Sequence, residues 1–352
     1  IGLVGSEMCI RDRANPSIDL TKLALEVTLT EGANISPDPA RVMDYSHPQK
    51  FTVTSEDGNW HKEYSVIIDT FDLPLRYDFE HYELNETGKY QVFFEETQGT
   101  ALFKQYIWAS GNSGFALTGV GRNPQEYPTV SIENGIDGSR AIKLETKSTG
   151  QFGETVKMPI AAGNLFLGSF DVNNAVQKPL KATRFGLPFG KKPLQLKGYY
   201  KYTPGTQPFK AKDKNGNTVT IPGQEDEGDI YAVLYEAAEL DGQALDGNNV
   251  LTSENIVALA RVEVEKKDEF TAFHVDFHYE SRIPIDWPKF IQDQRDPSDD
   301  GTAPYLSFSE KKMKSYEYNL AVVFTSSKYG AYFAGSVGST LCIDKVEIVC
   351  EK

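Results

Sequence analysis

The chain has 352 residues, 39% apolar and 12% aromatic, enough for a small and a large domain, each with its own core. Its net charge of −14, from 36 Lys and Arg against 50 Asp and Glu, excludes no fold but disfavours nucleic acid and anionic membrane as partners, because no basic block stands out to neutralise phosphates. No apolar run reaches the roughly 18 residues of a membrane span, and the 18 Tyr, 20 Phe, 29 Gly and 18 Pro suit strands separated by turns better than helices.

The first thirteen residues, "IGLVGSEMCIRDR", show neither a helical nor a strand period. Back-translated, Met8 to Asp12 can be written ATG TGT ATA AGA GAC, with AG opening the Arg13 codon, and Gly2 to Glu7 as GGT CTC GTG GGC TCG GAG. Both resemble the end of a transposase library adapter. Residues 1–13 are therefore expected to be translated read-through, unstructured and without functional weight, with any export signal that preceded Ala14 lost. Cys9 falls in that segment, leaving Cys342 and Cys350 in "TLCIDKVEIVC". On one strand those two Cα atoms would stand roughly 26 Å apart, beyond disulfide reach, so packed thiols are expected.

From Ala14 to Thr70 a small antiparallel sandwich is expected. "ALEVTLTEG" alternates, and "KFTVTSE" and "KEYSVII" flank Asp57-Gly58-Asn59 as a hairpin, with Phe51 and Val53 on one face and Tyr64, Val66 and Ile68 in a matching stripe. This segment resembles the immunoglobulin-like repeats of secreted and surface proteins of Bacteroidetes, which implies a spacer role. "DTFDLPLRYDFEHYE" then changes register at Pro74, and a second domain is expected over residues 71–352.

Strand-like runs continue to the C-terminus: "AIKLETK", "LQLKGYYKYTP", "DIYAVLYEA", "IVALARVEVEK", "FTAFHVDFHYES", "YEYNLAVVFTSS" and "STLCIDKVEIV". Their number and spacing predict an all-β fold, a jelly-roll sandwich following the smaller one. In "TSSKYGAYFAGSVGST", Gly330, Gly335 and Gly338 are expected to turn the chain with positive φ, with Ser327 and Ser339 bonding freed amides.

The segments "YDFEHYE", "IENGIDGSRAIKLETK", "NLFLGSFDV", "TRFGLPFGKKPLQLKGYYKYTPG", "DEGDIYAVLYEA" and "LAVVFTSSKYGAYFAGSVGSTLCIDKVEI" resemble the putative carbohydrate metabolism domain of Bacteroidetes. That resemblance spans roughly Arg76 to Ile348. It implies an immunoglobulin-like module joined to a galactose-binding-like jelly roll, a carbohydrate-associated role and a surface location, but no particular reaction.

Sugar binding needs an apolar face for stacking and planar polar groups for bidentate hydrogen bonds. The candidate contacts are Trp108 with the following Asn112, Arg184 near "FGLPFG", Tyr200 and Tyr202 on one face of "GYYKYTPG", and Trp287 between prolines in "RIPIDWPKF". Trp60 sits at the small domain's hairpin. Each of these could equally be ordinary core or loop packing. In "FHVDFHYE", His274, Asp276, His278 and Glu280 share a face; about 13 Å between the two His Cα atoms discourages one metal held by both, which leaves His274 with Asp276 or Asp276 with His278 as the alternative to the expected solvated sheet face.

No cofactor is required. Jelly-roll carbohydrate modules often carry a structural calcium, and Glu80, Asp137 and Asp344 are the positions that would hold it. Glycoside hydrolysis would need a carboxylate pair; Glu236, Glu239 and Asp276 are conceivable members, though no motif selects them. G-x-S-x-G, G-x-x-x-x-G-K-[ST] and H-E-x-x-H are all absent. The leading expectation is a monomeric, exported glycan-binding protein of the cell surface, taking a poly- or oligosaccharide without catalysis and touching membrane only through a lost N-terminal anchor. A glycoside hydrolase working in the jelly-roll groove is the alternative, and a surface adhesin or structural protein the second.

Overall fold

The computed structural model describes residues 8–14, 19–70, 72–97, 103–237, 240, 244–296 and 301–352. The chain divides into two compact units, Ile1–Leu73 and Pro74–Lys352.

The small unit holds one four-stranded sheet of β1 (Met8–Ala14), β2 (Asn34–Ser36), β3 (Gln49–Thr54) and β4 (His61–Thr70), in spatial order β1-β4-β3-β2. The β3–β4 hairpin turns at Gly58, whose φ of 70° suits glycine, while Asp57 Oδ1 accepts from the Asn59 amide at 3.0 Å. Phe51 and Val66 are buried on one face of this hairpin together with Tyr45. Each such side chain contributes about 1.5–3 kcal/mol by leaving water. The expected second sandwich layer is irregular chain rather than a sheet: "ALEVTLTEG" makes no ladder, yet Leu23 and Leu25 pack on the core and the Leu23 amide bonds the Met43 carbonyl at 2.9 Å.

One expectation is corrected here. Residues 8–13, read as unstructured, form β1 with Ala14, parallel to β4 from Met8 opposite Tyr64 to Ala14 opposite Thr70. Ladder hydrogen bonds use backbone groups that every residue but proline carries, so an open sheet edge can pair with a segment whose side chains show no strand pattern.

The large unit is an all-β sandwich. The strands of its two main sheets are β5 (Arg76–Tyr77), β6 (Trp108–Ala109), β7 (Thr129–Ile132), β8 (Ala141–Glu145), β9 (Asn164–Phe170), β10 (Thr183–Phe185), β11 (Leu187–Pro188), β12 (Pro193–Thr203), β13 (Asp229–Glu236), β14 (Ile256–Val262), β15 (Lys267–Asp276), β16 (Tyr318–Thr325) and β17 (Thr340–Cys350). One sheet runs β7-β8-β17-β12-β15, with β5 added beside β17. The other runs β6-β9-β16-β13-β14, with β10 on β9 and β11 on β16. Most steps along the chain cross between the two sheets, the connectivity of a jelly roll.

The two sheets differ in how their outer faces are treated. In β12, Leu196, Gly198, Tyr200 and Tyr202 turn inward while the residues between them are partly exposed, and on β15 and just beyond it His274, Asp276, His278 and Glu280 form the expected solvated row. In β13 every residue is buried. Its second face lies under Leu245, Val250, Leu251, Ile283, Ile285 and Tyr305 from the long connections. That extra layer is where the chain makes its cleft. Cys342 and Cys350 are free thiols, and burial pushes both up to about 11.

Candidate functional site

Antiparallel register sets the floor of the cleft. Asp229 stands opposite Thr325, Tyr231 opposite Val323 and Arg261, and Phe166 opposite Val323, so these residues share the sheet face that the connections cover. Arg261 reaches diagonally to Asp229, with Nε on Oδ1 at 3.0 Å and Nη2 on Oδ2 at 2.7 Å. Both side chains are nearly out of water, at 14% and 4% exposure. Burial opposes the Arg261 charge, but Asp229 more than offsets it and holds the guanidinium above its usual pKa.

One wall comes from "RIPIDWPKFIQDQR". Pro288 caps the short helix α1 (Lys289–Gln292), the fully buried Ile291 anchors it, and Arg295 follows one turn later. This brings the Arg295 guanidinium to 4.1 Å from the Trp287 ring centroid, with Nη1 donating to the Tyr332 hydroxyl at 2.8 Å. Trp287 thereby joins two apolar clusters, one under β13 and one around Phe209 and Tyr332.

The adjoining wall, residues 326–339, hangs on one carboxylate. Asp226 is 2% exposed. Its Oδ2 accepts from Ser327 Oγ at 2.6 Å, Ser339 Oγ at 2.7 Å and the Ser336 amide at 2.8 Å. A Cβ on Gly335 would stand 2.5 Å from Ser327 Oγ, so close approach requires this glycine. Among the three glycines expected to turn with positive φ, Gly338 alone does so, at 94°. The Ser327 and Ser339 hydroxyls serve Asp226 rather than freed amides, although Ser339 Oγ also accepts from the Gly205 amide at 2.9 Å.

Together these elements bound a cleft of about 200 Å³ whose rings include Phe115, Phe152, Phe166, Phe170, Phe185 and Trp287. Its charged lining residues are Asp229, Arg261, Arg295 and Lys328.

Burial moves Asp226 up to about 6, against the pull of its donors, and moves Glu95, which accepts from Trp108 Nε1, up to about 7. A carboxyl with a folded pKa above its unfolded value binds its proton more tightly when folded, so stability rises as pH falls through the folded pKa. Urea midpoints are expected to increase from pH 8 to about pH 5, with on the order of 1–1.5 kcal/mol from Asp226. An unchanged or falling midpoint across that window would contradict the assignment.

The structure gathers few of the expected contacts. Trp287 lies in the cleft. Trp108 does not: it is 4% exposed, with Tyr77, Phe79 and Phe324 at ring distances of 5.0, 5.5 and 6.0 Å, so it offers no platform. Asn112 is fully buried and bonds the Thr129 backbone through both ends of its amide. Tyr200 and Tyr202 occupy the sandwich interior, their hydroxyls bonded to the Glu265 amide and the Ser326 carbonyl. Alternation placed them on one face correctly, but that face is the inner one. Arg184 is exposed outside the cleft and pairs with Asp171 at 3.3 Å.

The three positions expected to hold calcium each bond to protein donors. Glu80 accepts from the Arg140 amide at 2.9 Å, Asp137 pairs with Lys345 at 3.0 Å, and Asp344 accepts from the Ile136 amide at 2.6 Å and Ser139 Oγ at 2.8 Å. Among the described residues no group of three or more His, Cys, Asp or Glu gathers to hold a metal. Glu236 is buried against Lys312, Asp276 accepts from Gln195 at 2.6 Å, and Glu239 lies outside the described residues.

Asp226, Asp229, Arg261 and Arg295 carry the site without having been singled out in the sequence. Arg261 had a signal: it is the one charge in the run "IVALARV", where a buried strand must pair it.

The large unit is thus a two-sheet sandwich whose cleft is lined by aromatic rings and guanidinium groups. Residues 78–349 match the family model described as "Putative carbohydrate metabolism domain", and the chain belongs to that family. Residues 10–68 match the model described as "SGBP, N-terminal". A crystal structure described as a putative glycoside hydrolase from Bacteroides thetaiotaomicron is 41% identical, covering 98% of this chain and 91% of that one at a TM-score of 0.74. A second, described in the same words and from Bacteroides vulgatus, is 35% identical, covering 80% of this chain and all of its own at a TM-score of 0.63. The comparison with curated proteins returned no match.

Proposed function

We propose that this protein binds a glycan in the cleft beneath Trp287 and does not cleave it. The observation that carries this reading is the state of Asp229. Among the described residues lining the cleft it is the one carboxylate, and both of its oxygens are bonded to Arg261. Glycosidases as a rule use two carboxyl groups about 5 Å or 6.5–9.5 Å apart, one of them free to move a proton. Aromatic rings beside guanidinium groups are instead the means of holding sugar C–H faces and paired hydroxyls.

The amino-terminal SGBP match, a glycan-binding class, supports an exported protein at the cell surface with the small unit as a spacer. Among the described residues no helix is long and apolar enough to cross a membrane. The solved relatives described as putative glycoside hydrolases favour the hydrolytic alternative, so the test covers both. On a panel of polysaccharides, affinity electrophoresis is expected to show retardation by at least one glycan, with Trp287→Ala reducing affinity about tenfold or more. No reducing ends are expected on prolonged incubation. Their release, abolished by Asp229→Asn, would replace binding with hydrolysis.

A further inference from the structure

Donors and acceptors on the cleft lining are unevenly used. Asp229, the one carboxylate among the described lining residues, has both oxygens on Arg261. Asn164 has both ends of its amide occupied, by the Gly111 amide at 2.8 Å and the Ala162 carbonyl at 3.3 Å. A guanidinium carries five N–H donors. Arg261 gives Asp229 one from Nε and one from Nη2, and among the described residues no acceptor is bonded to Nη1. Tyr231, directly opposite Arg261 in the ladder, has a hydroxyl that likewise bonds to no described residue. Trp287 Nε1 is fully buried without a partner, but neither of these two atoms is closed off in that way, and the Arg261 side chain keeps 14% of its surface. Arg295 adds a second guanidinium, bonded to Tyr332 and stacked on Trp287, and Lys328 adds an ammonium whose Nζ lies on Glu227 Oε2 at 2.7 Å. Three cationic side chains thus line a cleft whose carboxylate is already paired, in a chain of net charge −14.

We propose that the glycan taken by this cleft is an acidic one, with the carboxylate or sulfate group of one sugar residue held by Arg261 Nη1 and the Tyr231 hydroxyl. This rests on the glycan-binding reading and narrows it to acidic sugars. An anionic oxygen only accepts, which suits a floor that presents donors, and a charge-assisted hydrogen bond is about twice as strong as one between neutral groups. Asp229 already fixes the guanidinium in place, so little side-chain freedom is lost when the anion arrives.

The test is calorimetric titration of the full chain with uronate-bearing and sulfated polysaccharides, each beside its carboxyl-reduced or desulfated form. At least one acidic glycan is expected to bind, and removing its charge is expected to weaken it about tenfold or more. Which treatment does so identifies carboxylate or sulfate as the group held. Asp229→Leu combined with Arg261→Met, which removes both charges together, should erase the preference for the acidic form. Tyr231→Phe, which removes only the hydroxyl, should weaken the acidic form several-fold and the neutralised form less, so the result does not hang on one variant folding. Equal affinity for acidic and neutralised forms, or binding of neutral glycans alone, would overturn the acidic-sugar proposal and leave glycan binding standing. A preference undiminished in both variants would place the anion elsewhere and overturn the site. Binding of no glycan, acidic or neutral, would overturn the glycan reading itself.

Discussion

Replacing Arg261 with alanine is expected to destabilise the large unit by about 3–5 kcal/mol, because it strands the Asp229 charge in a site from which water is excluded. The pair lies 14% and 4% exposed, with both carboxylate oxygens on the guanidinium. Alanine also removes an aliphatic stem packed beneath the cleft, and Asp229 can then only protonate or draw water in. Urea unfolding of the single and double variants separates these effects. Asp229→Leu combined with Arg261→Met should regain most of the loss, since replacing both charges with apolar groups of similar volume is often neutral or better. If Arg261→Ala alone costs less than about 1 kcal/mol, the range of an exposed pair, the two charges are hydrated and the reading of Asp229 as locked fails.

Asp226→Ala is expected to cost about 3–5 kcal/mol and to abolish ligand binding in whatever protein remains folded. Ser327 Oγ, Ser339 Oγ and the Ser336 amide would lose a shared acceptor at a buried position, and each unpaired group costs about 1–3 kcal/mol, partly recovered as hydroxyls turn to other acceptors. The same wall carries Lys328, Tyr332 and Phe333 into the cleft, so its release should spread the lining. Asp226→Asn keeps an acceptor without the charge and should cost less. It should also shrink the pH 8 to 5 rise in stability to the share of Glu95, because one of the two groups whose proton is bound more tightly in the folded state is gone. A rise undiminished in Asp226→Asn would assign the whole effect to Glu95. Full binding by Asp226→Ala would show that the wall holds its place without the carboxylate.

Much of the strand inventory was legible. "AIKLETK", "LQLKGYYKYTP" and "STLCIDKVEIV" alternate because one side of each faces the sandwich interior, and they became β8, β12 and β17. The runs "DIYAVLYEA" and "LAVVF" do not alternate, and that was informative too: strands buried on both faces read as continuous apolar stretches, the mark of a sheet with a further layer on it. The site was less legible. Trp108, Tyr200 and Tyr202 have the composition of a sugar platform, yet large aromatic residues serve a core equally well, and their position along a strand leaves the choice of inner face open. Asp226 stands in the acidic run "EDEGD" with nothing local to mark it. It becomes a hub because serines from residues 326–339 arrive there, more than a hundred positions away.

By itself, then, the order of residues determined the all-β class, the hairpin at Asp57-Gly58-Asn59 and which side chains share each strand face, since all three follow from local backbone geometry. Only the tertiary structure decided which faces meet water, that Asp229 and Arg261 neutralise each other, which donors Glu80, Asp137 and Asp344 accept from, and that Trp287 and Arg295 join residues 326–339 around one cleft. Those outcomes depend on contacts between distant segments, and the burial, charge pairing and hydrogen-bond competition they create have no counterpart in local pattern.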